Sequence, residues 1–89
     1  MSMRKNNLSE LQFPLECHFR VIAENDEKMQ FVIETVVMGL GITAPVEKTN
    51  ISGGARYISF NISAIVCSLE EMNNIDRELR QIRGVRMVL

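Results

Sequence analysis

The side chains best suited to metal binding or nucleophilic chemistry are those of Cys17, His18 and Cys67. Cys17 and His18 are neighbours on an alternating segment, so on a β-strand they point to opposite faces and cannot readily share a metal ion. The sequence has no CxxC or HxxxH spacing of the kind that holds zinc. We therefore expect both cysteines to be free thiols and no metal site, with Cys17 pointing inward and Cys67 outward.

Acid–base and phosphate chemistry also lack a set of residues. His18 is the sole histidine, and no serine or cysteine nucleophile is evidently placed beside it. A phosphate loop at the first strand–helix junction would need backbone N–H groups and an arginine, but residues 24–28 read ENDEK, which is acidic and lacks glycine. Asn61 could orient a water molecule, but no further group completes that site. The sequence predicts no enzyme, no catalytic residue and no cofactor.

Residues 53–63, GGARYISFNIS, resemble half of an RNA-binding signature. RNA-recognition domains stack bases on exposed aromatic residues of the pattern K/R-G-F/Y-G/A-F/Y-V-x-F/Y. Residues 57–60 match the second half of this pattern, whereas residues 53–56 lack the leading basic residue and the first aromatic. Because the net charge is −1, bulk attraction to nucleic acid is also missing. RNA binding is therefore the weakest of the binding hypotheses.

Length and composition set the class of protein. The chain of 89 residues is 46% hydrophobic and 24% charged, which is typical of one soluble globular domain. We expect a flexible tail over residues 1–12 and one domain over residues 13–89. With only two cysteines, no signal peptide and no apolar run near the roughly 18 residues that span a membrane, the expected location is the cytoplasm.

Strands are indicated by alternation of apolar and polar side chains. Residues 15–23 and 56–66 alternate strongly, with β-branched and aromatic residues on one side. Residues 42–50 form a weaker strand whose proline places it at a sheet edge, and residues 51–55 form a turn. Residues 85–89 form a short closing strand. The residues of this last strand that are expected to point inward are Val85, Met87 and Leu89.

Helices are indicated by apolar stripes and by capping residues. Asn25 or Asp26 can cap the first helix, and Ser68 with Glu71 forms a capping box at the start of the second. The stripe of the first helix is Met29, Val32, Ile33, Val36, Val37 and Leu40, and that of the second is Met72, Ile75, Leu79 and Ile82.

The order strand, helix, strand, strand, helix, strand predicts an α+β, ferredoxin-like βαββαβ fold. Each helix has a single apolar stripe, so both should cover one face of a four-stranded antiparallel sheet. In this topology the first strand lies between the third and the fourth. The other face is bare, and it should collect His18, Arg20, Tyr57, Ser59, Asn61, Ser63, Arg86 and Val88.

Several stretches resemble the YbeD-like family of small bacterial proteins. These are residues 11–22, 52–66 and 68–75, together with the ending VRMVL at residues 85–89. The resemblance covers about residues 11–89. It implies a fold related to ACT regulatory domains and a regulatory role, with a link to lipoate metabolism, and it supplies no catalytic residue. Amino-acid-binding ACT domains have a glycine at the first strand–helix junction, where this chain has ENDEK, so the sequence argues against amino-acid sensing of that kind.

The leading hypothesis is a non-catalytic regulatory or adaptor module that binds a partner protein through its bare sheet face or an edge strand. Arginines would supply charge pairing, tyrosine an anchor and the amide and hydroxyl groups hydrogen bonds. The candidate partner-binding residues are His18, Arg20, Tyr57, Ser59, Asn61 and Arg86.

Other interpretations stay open at this point. The bare face could be solvated or form a homodimer contact. A dimer could instead enclose a small metabolite and act as an ACT-like sensor, with lipoyl compounds among the candidates. Arg77, Arg80, Arg83 and Arg86 form a basic run that suits either a solvated helix end or an acidic partner surface.

Overall fold

The computed structural model describes residues 12–49 and 56–89. Its elements are β1 (Leu15–Glu24), α1 (Met29–Gly39), β2 (Glu47–Thr49), β3 (Tyr57–Val66), α2 (Leu69–Arg80) and β4 (Val85–Val88). The four strands form an antiparallel sheet in the order β2-β3-β1-β4. The predicted ferredoxin-like fold is confirmed, as are the central position of β1 and the edge position of β2. The predicted turn at residues 51–55 and all but the last residue of the predicted tail lie outside the described residues, and the domain bounds stay a prediction.

The core forms where the two long strands turn one face toward the helices. Alternation along β1 buries Phe19, Val21 and Ala23, and these pair in register with alternate residues of β3. Because successive strand residues point to opposite sides, the register places both sets of apolar side chains on one face. The β3 residues of this core are Ile58, Phe60, Ile62, Ala64 and Val66.

Helix α2 begins and packs as its sequence predicts. The Ser68 hydroxyl accepts a hydrogen bond from the Glu71 backbone N–H at 3.0 Å. The Glu71 carboxylate accepts in turn from the Cys67 backbone N–H at 2.6 Å, one residue before the N-cap. Ile75 and Leu79 of α2 are buried against the core. The capping pair and the apolar stripe therefore agree on where α2 starts and which side faces the sheet.

Helix α1 departs from its predicted start and, at Val32, from its predicted stripe. Its N-cap is Lys28, without a side-chain cap, so the prediction of Asn25 or Asp26 as N-cap is wrong. The Asp26 carboxylate instead accepts from the Lys28 backbone N–H at 2.8 Å, in the turn before the helix. The buried residues are Met29, Ile33 and Val37, four apart, and this spacing leaves Val32 exposed on the side of the helix.

A register shift in β4 overturns part of its predicted orientation. Val88 lies opposite Val21 and Met87 opposite Ile22, but Ala23 lies opposite Val85, so one extra residue stands in β4. An extra residue inverts the side-chain alternation beyond it. Val88 is therefore buried in the core, not on the bare face, whereas Met87 and Leu89 are 47% and 62% exposed instead of pointing inward.

Candidate functional site: the open face of the sheet

The face of the sheet opposite the helices, here called the open face, carries mixed polar and apolar side chains. Strand register places β1 side chains beside those of β3, and β2 and β4 flank them. Its residues are Glu16, His18, Arg20, Ile22, Glu24, Glu47, Thr49, Tyr57, Ser59, Asn61, Ser63, Ile65, Met87 and Leu89.

Arg20 occupies the middle of the open face. It lies opposite Asn61 on one side, and on the other it exchanges backbone hydrogen bonds with Leu89 at 3.1 and 2.8 Å. Among the described residues no carboxylate lies within 4.0 Å of its guanidinium group. Arg20 is thus an exposed cation held between an amide and an apolar side chain.

His18 and Ser63 form a second polar pair across the same two strands. The His18 Nδ1 lies 3.1 Å from the Ser63 hydroxyl, and the His18 Nε2 lies 4.0 Å from a Glu16 carboxylate oxygen. Both contacts lie at the surface, where water competes with them. A serine therefore does lie beside His18, contrary to the sequence expectation, and the pair offers an exposed hydrogen-bonding surface.

Of the predicted partner-binding residues, Ser59 is the one that is buried and cannot reach a partner. It is 2% exposed, and the Thr49 hydroxyl bonds both to the Ser59 hydroxyl and, at 3.2 Å, to the Ser59 backbone carbonyl. Strand parity correctly placed Ser59 on the open face. The short strand β2 brings Thr49 directly opposite, and a threonine side chain is long enough to close over serine. The Ser59 hydroxyl is therefore used within the sheet.

Arg86 and Tyr57 lie together at one end of the open face. The Arg86 guanidinium forms an ion pair with the carboxylate of Glu24, and Glu24 lies opposite Tyr57 in the β1–β3 register. Tyr57 remains partly exposed. These residues line a shallow depression that Arg56 also borders. The charge of Arg86 is thus balanced locally, unlike that of Arg20.

Sequence reasoning missed the apolar residues that the end of the chain adds to this surface. Ile65 is exposed at one end, and Met87 and Leu89 lie beside Ile22 and Arg20 at the other. The last two were missed because the extra residue in β4 has no sequence signal. Phe31 and Met38 on α1, away from the open face, are exposed as expected for residues off the predicted stripe.

The cysteines do not converge on a reactive site. The Cys17 Sγ lies 3.3 Å from the Met72 Sδ, half-buried between β1 and α2, and burial raises the pKa of its thiol. Cys67 is exposed just before α2. Within residues 12–49 and 56–89, no three side chains of the His, Cys, Asp or Glu type are grouped to hold a metal ion.

A small cavity lies beyond the end of α1, against the last residues of β3, and reaches both sides of the sheet. It has a volume of about 200 Å³ and is bordered by residues 40–44, Ile75 and the carboxylates of Glu16 and Glu71. Sites for small organic ligands usually measure roughly 300–1,000 Å³. This cavity is therefore too small to enclose a typical metabolite.

Comparison with known proteins identifies the family of this chain. The profile of a family described as "Protein of unknown function (DUF493)" matches residues 9–89. The chain belongs to the DUF493 family. This assignment confirms the resemblance to YbeD-like proteins, since these are the same family. The DUF493 chain is 28% identical over 79 residues to a UPF0250 protein of Shewanella piezotolerans, covering 89% of this chain and 90% of the relative.

Solved structures similar to this DUF493 chain share its fold. The solution structure of HP0495 from Helicobacter pylori has a TM-score of 0.76 at 24% identity, covering 89% of this chain and 85% of that one. The ACT domain of GTP pyrophosphokinase from Chlorobium tepidum has a TM-score of 0.70 at 16% identity, covering 84% and 83%. At these identities the likeness establishes an ACT-like fold. Neither described helix has the length and apolar character needed to cross a lipid bilayer.

Proposed function

We propose that this DUF493 domain is a non-catalytic regulatory or adaptor module that binds a partner protein through its open face. The observation that carries the proposal is the surrounding of Arg20. Its guanidinium has no carboxylate partner within the described residues, and Asn61 and the exposed Leu89 flank it. An exposed arginine beside apolar side chains gains both charge pairing and burial when a partner covers it.

Tyr57 supports the same surface from its other end. Its ring is partly exposed, and tyrosine and arginine are enriched among residues that contribute most to binding. Asn61 lies opposite Arg20, and His18 and Ser63 offer hydrogen-bonding groups on the side of Arg20 away from Tyr57. Ile22 and the covered Ser59 lie between Arg20 and Tyr57. The proposed interface therefore runs along the open face from Tyr57 through Arg20 to the pair of His18 and Ser63.

A protein partner fits the described surface better than an enclosed metabolite. The cavity beyond α1 is small, and the depressions on the open face are open to solvent; the one beside Arg20 is lined by both polar and apolar side chains, for example Asn61 and Leu89. A sensor would require a second copy of the chain to close over its ligand. Lipoyl compounds and other cellular acids are the ligands to screen for that alternative, by the rise in melting temperature that binding to the folded state produces.

The test is affinity capture from bacterial lysate followed by binding measurements with the captured protein after purification. Wild type is compared with the double variant Arg20→Glu, Tyr57→Ala, and with Lys48→Glu as a control. Lys48 is exposed on β2 but lies opposite the buried Phe60, so its side chain is not on the open face. The Lys48→Glu substitution therefore inverts a charge outside the proposed interface. Circular dichroism and thermal melting verify that all three proteins fold.

We expect the purified partner to bind wild type and Lys48→Glu with similar affinity and the double variant at least about tenfold more weakly, a loss of roughly 1.4 kcal/mol. Equal affinity for a folded double variant would contradict binding through the open face. A rise in melting temperature with a lipoyl compound, and no captured partner, would instead favour the sensor.

A further inference from the structure

Two exposed arginines, Arg80 and Arg83, flank the outer edge of the sheet at β4, whereas the guanidinium of Arg86 turns inward to Glu24 of β1. Arg80 ends α2, Arg83 precedes β4 and Arg86 lies within it. Asp76 pairs with Arg80 and Glu24 with Arg86, but no carboxylate among the described residues lies within 4.0 Å of Arg83. The sequence of β4, VRMV, has no acidic residue, and Arg83 is the cation beside this edge whose charge no described carboxylate balances.

The backbone of this edge points outward at Val88. Leu89 exchanges both of its backbone hydrogen bonds with Arg20, and partners in an antiparallel ladder alternate. The N–H and C=O groups of Val88 therefore point away from β1. The Val88 carbonyl accepts a hydrogen bond from Arg80 Nη2 at 3.0 Å, so a side chain stands where a further strand would donate.

The opposite edge of the sheet differs in length and charge. Strand β2 has only three residues, Glu47–Thr49, and Pro45 precedes it closely. Its two exposed charges, on Glu47 and Lys48, have opposite signs. Edge strands that carry proline and mixed charge resist the addition of another strand.

We propose that the β4 edge binds an extended acidic segment of a partner protein by strand addition. A backbone N–H of the incoming strand replaces Arg80 at the Val88 carbonyl, so one hydrogen bond is exchanged for another. The released Arg80 and the unpaired Arg83 then face carboxylates of the segment. A second copy of this chain is a poorer occupant, because its own β4 would bring the same arginines into opposition.

This inference rests on the proposed function. It adds that the partner protein carries an extended acidic segment, which binds at the β4 edge beside the open face. The probe is a fluorescein-labelled peptide of sequence VEVEVE. Its controls are VKVKVK and a VEVEVE peptide with N-methylated internal amides, which keeps the charge but cannot donate to a strand. Fluorescence anisotropy gives affinities, and amide chemical shifts of isotope-labelled protein locate the site.

Two arginine variants separate the edge from charge in general. Arg83→Glu inverts the unpaired charge at the edge, with Arg83→Gln as the milder substitution if the first fails to fold. Arg77→Glu is the matched control, because Arg77 bonds to Asn74 on α2 and makes no described contact with β4.

We expect VEVEVE to bind at least about tenfold more tightly than either control peptide, with the largest amide shifts at residues 85–89. Arg83→Glu should weaken binding about fivefold or more, and Arg77→Glu should change it by less than about twofold. Equal binding of the N-methylated peptide, or the largest shifts at Arg20 and Asn61, would overturn the edge assignment. A dimer in sedimentation with shifts at β4 would overturn it in favour of a second copy.

Failure of this inference is distinguishable from failure of the proposed function. A purified partner that is lost by the double variant Arg20→Glu, Tyr57→Ala, in a protein that does not bind VEVEVE, would overturn the β4 edge assignment while leaving the open-face interface intact.

Discussion

The side chain of Met29, the first residue of α1, occupies the space that a Cβ atom on Gly84 would fill. Gly84 itself has a φ of +95°, a conformation that residues with side chains rarely adopt. It stands just before β4, and its carbonyl accepts a hydrogen bond from the Glu24 backbone N–H at 2.9 Å. One glycine therefore sets both the start of β4 and its contact with α1.

Replacing Gly84 should destabilise the fold. Gly84→Ala adds a methyl group against Met29 and imposes strain at positive φ, so we expect the free energy of unfolding to fall by about 1–3 kcal/mol. Gly39→Ala is the matched control, because Gly39 ends α1 with open space around it. Alanine should raise stability there by up to about 1 kcal/mol. Urea unfolding measures both, and equal effects would contradict a requirement for glycine at residue 84.

The cap of α2 should contribute measurably to stability. Ser68→Ala removes the acceptor for the Glu71 backbone N–H, and we expect a loss of about 1 kcal/mol in the free energy of unfolding. Ser68→Asp keeps an acceptor at the same position and should retain most of the stability. A Ser68→Asp variant as unstable as Ser68→Ala in urea unfolding would show that the cap is not the cause.

Loss of an apolar side chain should lower stability greatly on the buried side of α1 and hardly at all on its exposed side. Ile33 is fully buried, so Ile33→Ala should cost about 2–5 kcal/mol. Phe31 is 71% exposed, so Phe31→Ser should change stability by no more than about 0.5 kcal/mol. Thermal unfolding distinguishes the two. A large loss for Phe31→Ser would mean that this residue is covered in solution.

Cys17 should make stability depend on pH in the alkaline range. Burial raises the pKa of its thiol in the folded state, whereas the unfolded thiol ionises near its ordinary pKa of about 8.5. The unfolded state therefore releases its proton first, and rising pH favours it. The stabilising contribution is complete below the unfolded pKa and is lost as the pH rises toward the folded one.

Urea unfolding across this pH range checks the prediction. Cys17→Ala should flatten the alkaline decline in stability relative to wild type, and the exposed Cys67→Ala should leave it unchanged. Alkylation should also reach Cys67 before Cys17. An identical decline in wild type and Cys17→Ala would exclude this thiol as the source.

Most of the fold could be predicted from local patterns. Alternation in β1 and β3 gave their buried faces, because side chains on a strand necessarily alternate. The capping box and stripe gave α2. The start of α1 could not be predicted in the same way, because Asp26 bonds equally well within a turn, and only packing decided that the helix begins at Met29.

The candidate site was predictable only in part. Parity placed His18, Arg20, Tyr57, Ser59 and Asn61 on the open face, and the register confirms that placement. Parity cannot show what lies opposite, so the cover of Thr49 over Ser59 was missed. Binding by the exposed members of this set stays a prediction that the capture experiment tests.

The sequence by itself determined the order of elements, the buried faces of the long strands and the absence of a familiar catalytic motif, because these depend on residue type and short spacing. Tertiary structure alone decided the orientation of β4, the cover of Ser59 and the Arg80 contact with the Val88 carbonyl. Each of these depends on which backbone atoms meet across separate strands or helices. A single extra residue in β4 changes which of its residues pair with β1, without any change in the local sequence pattern.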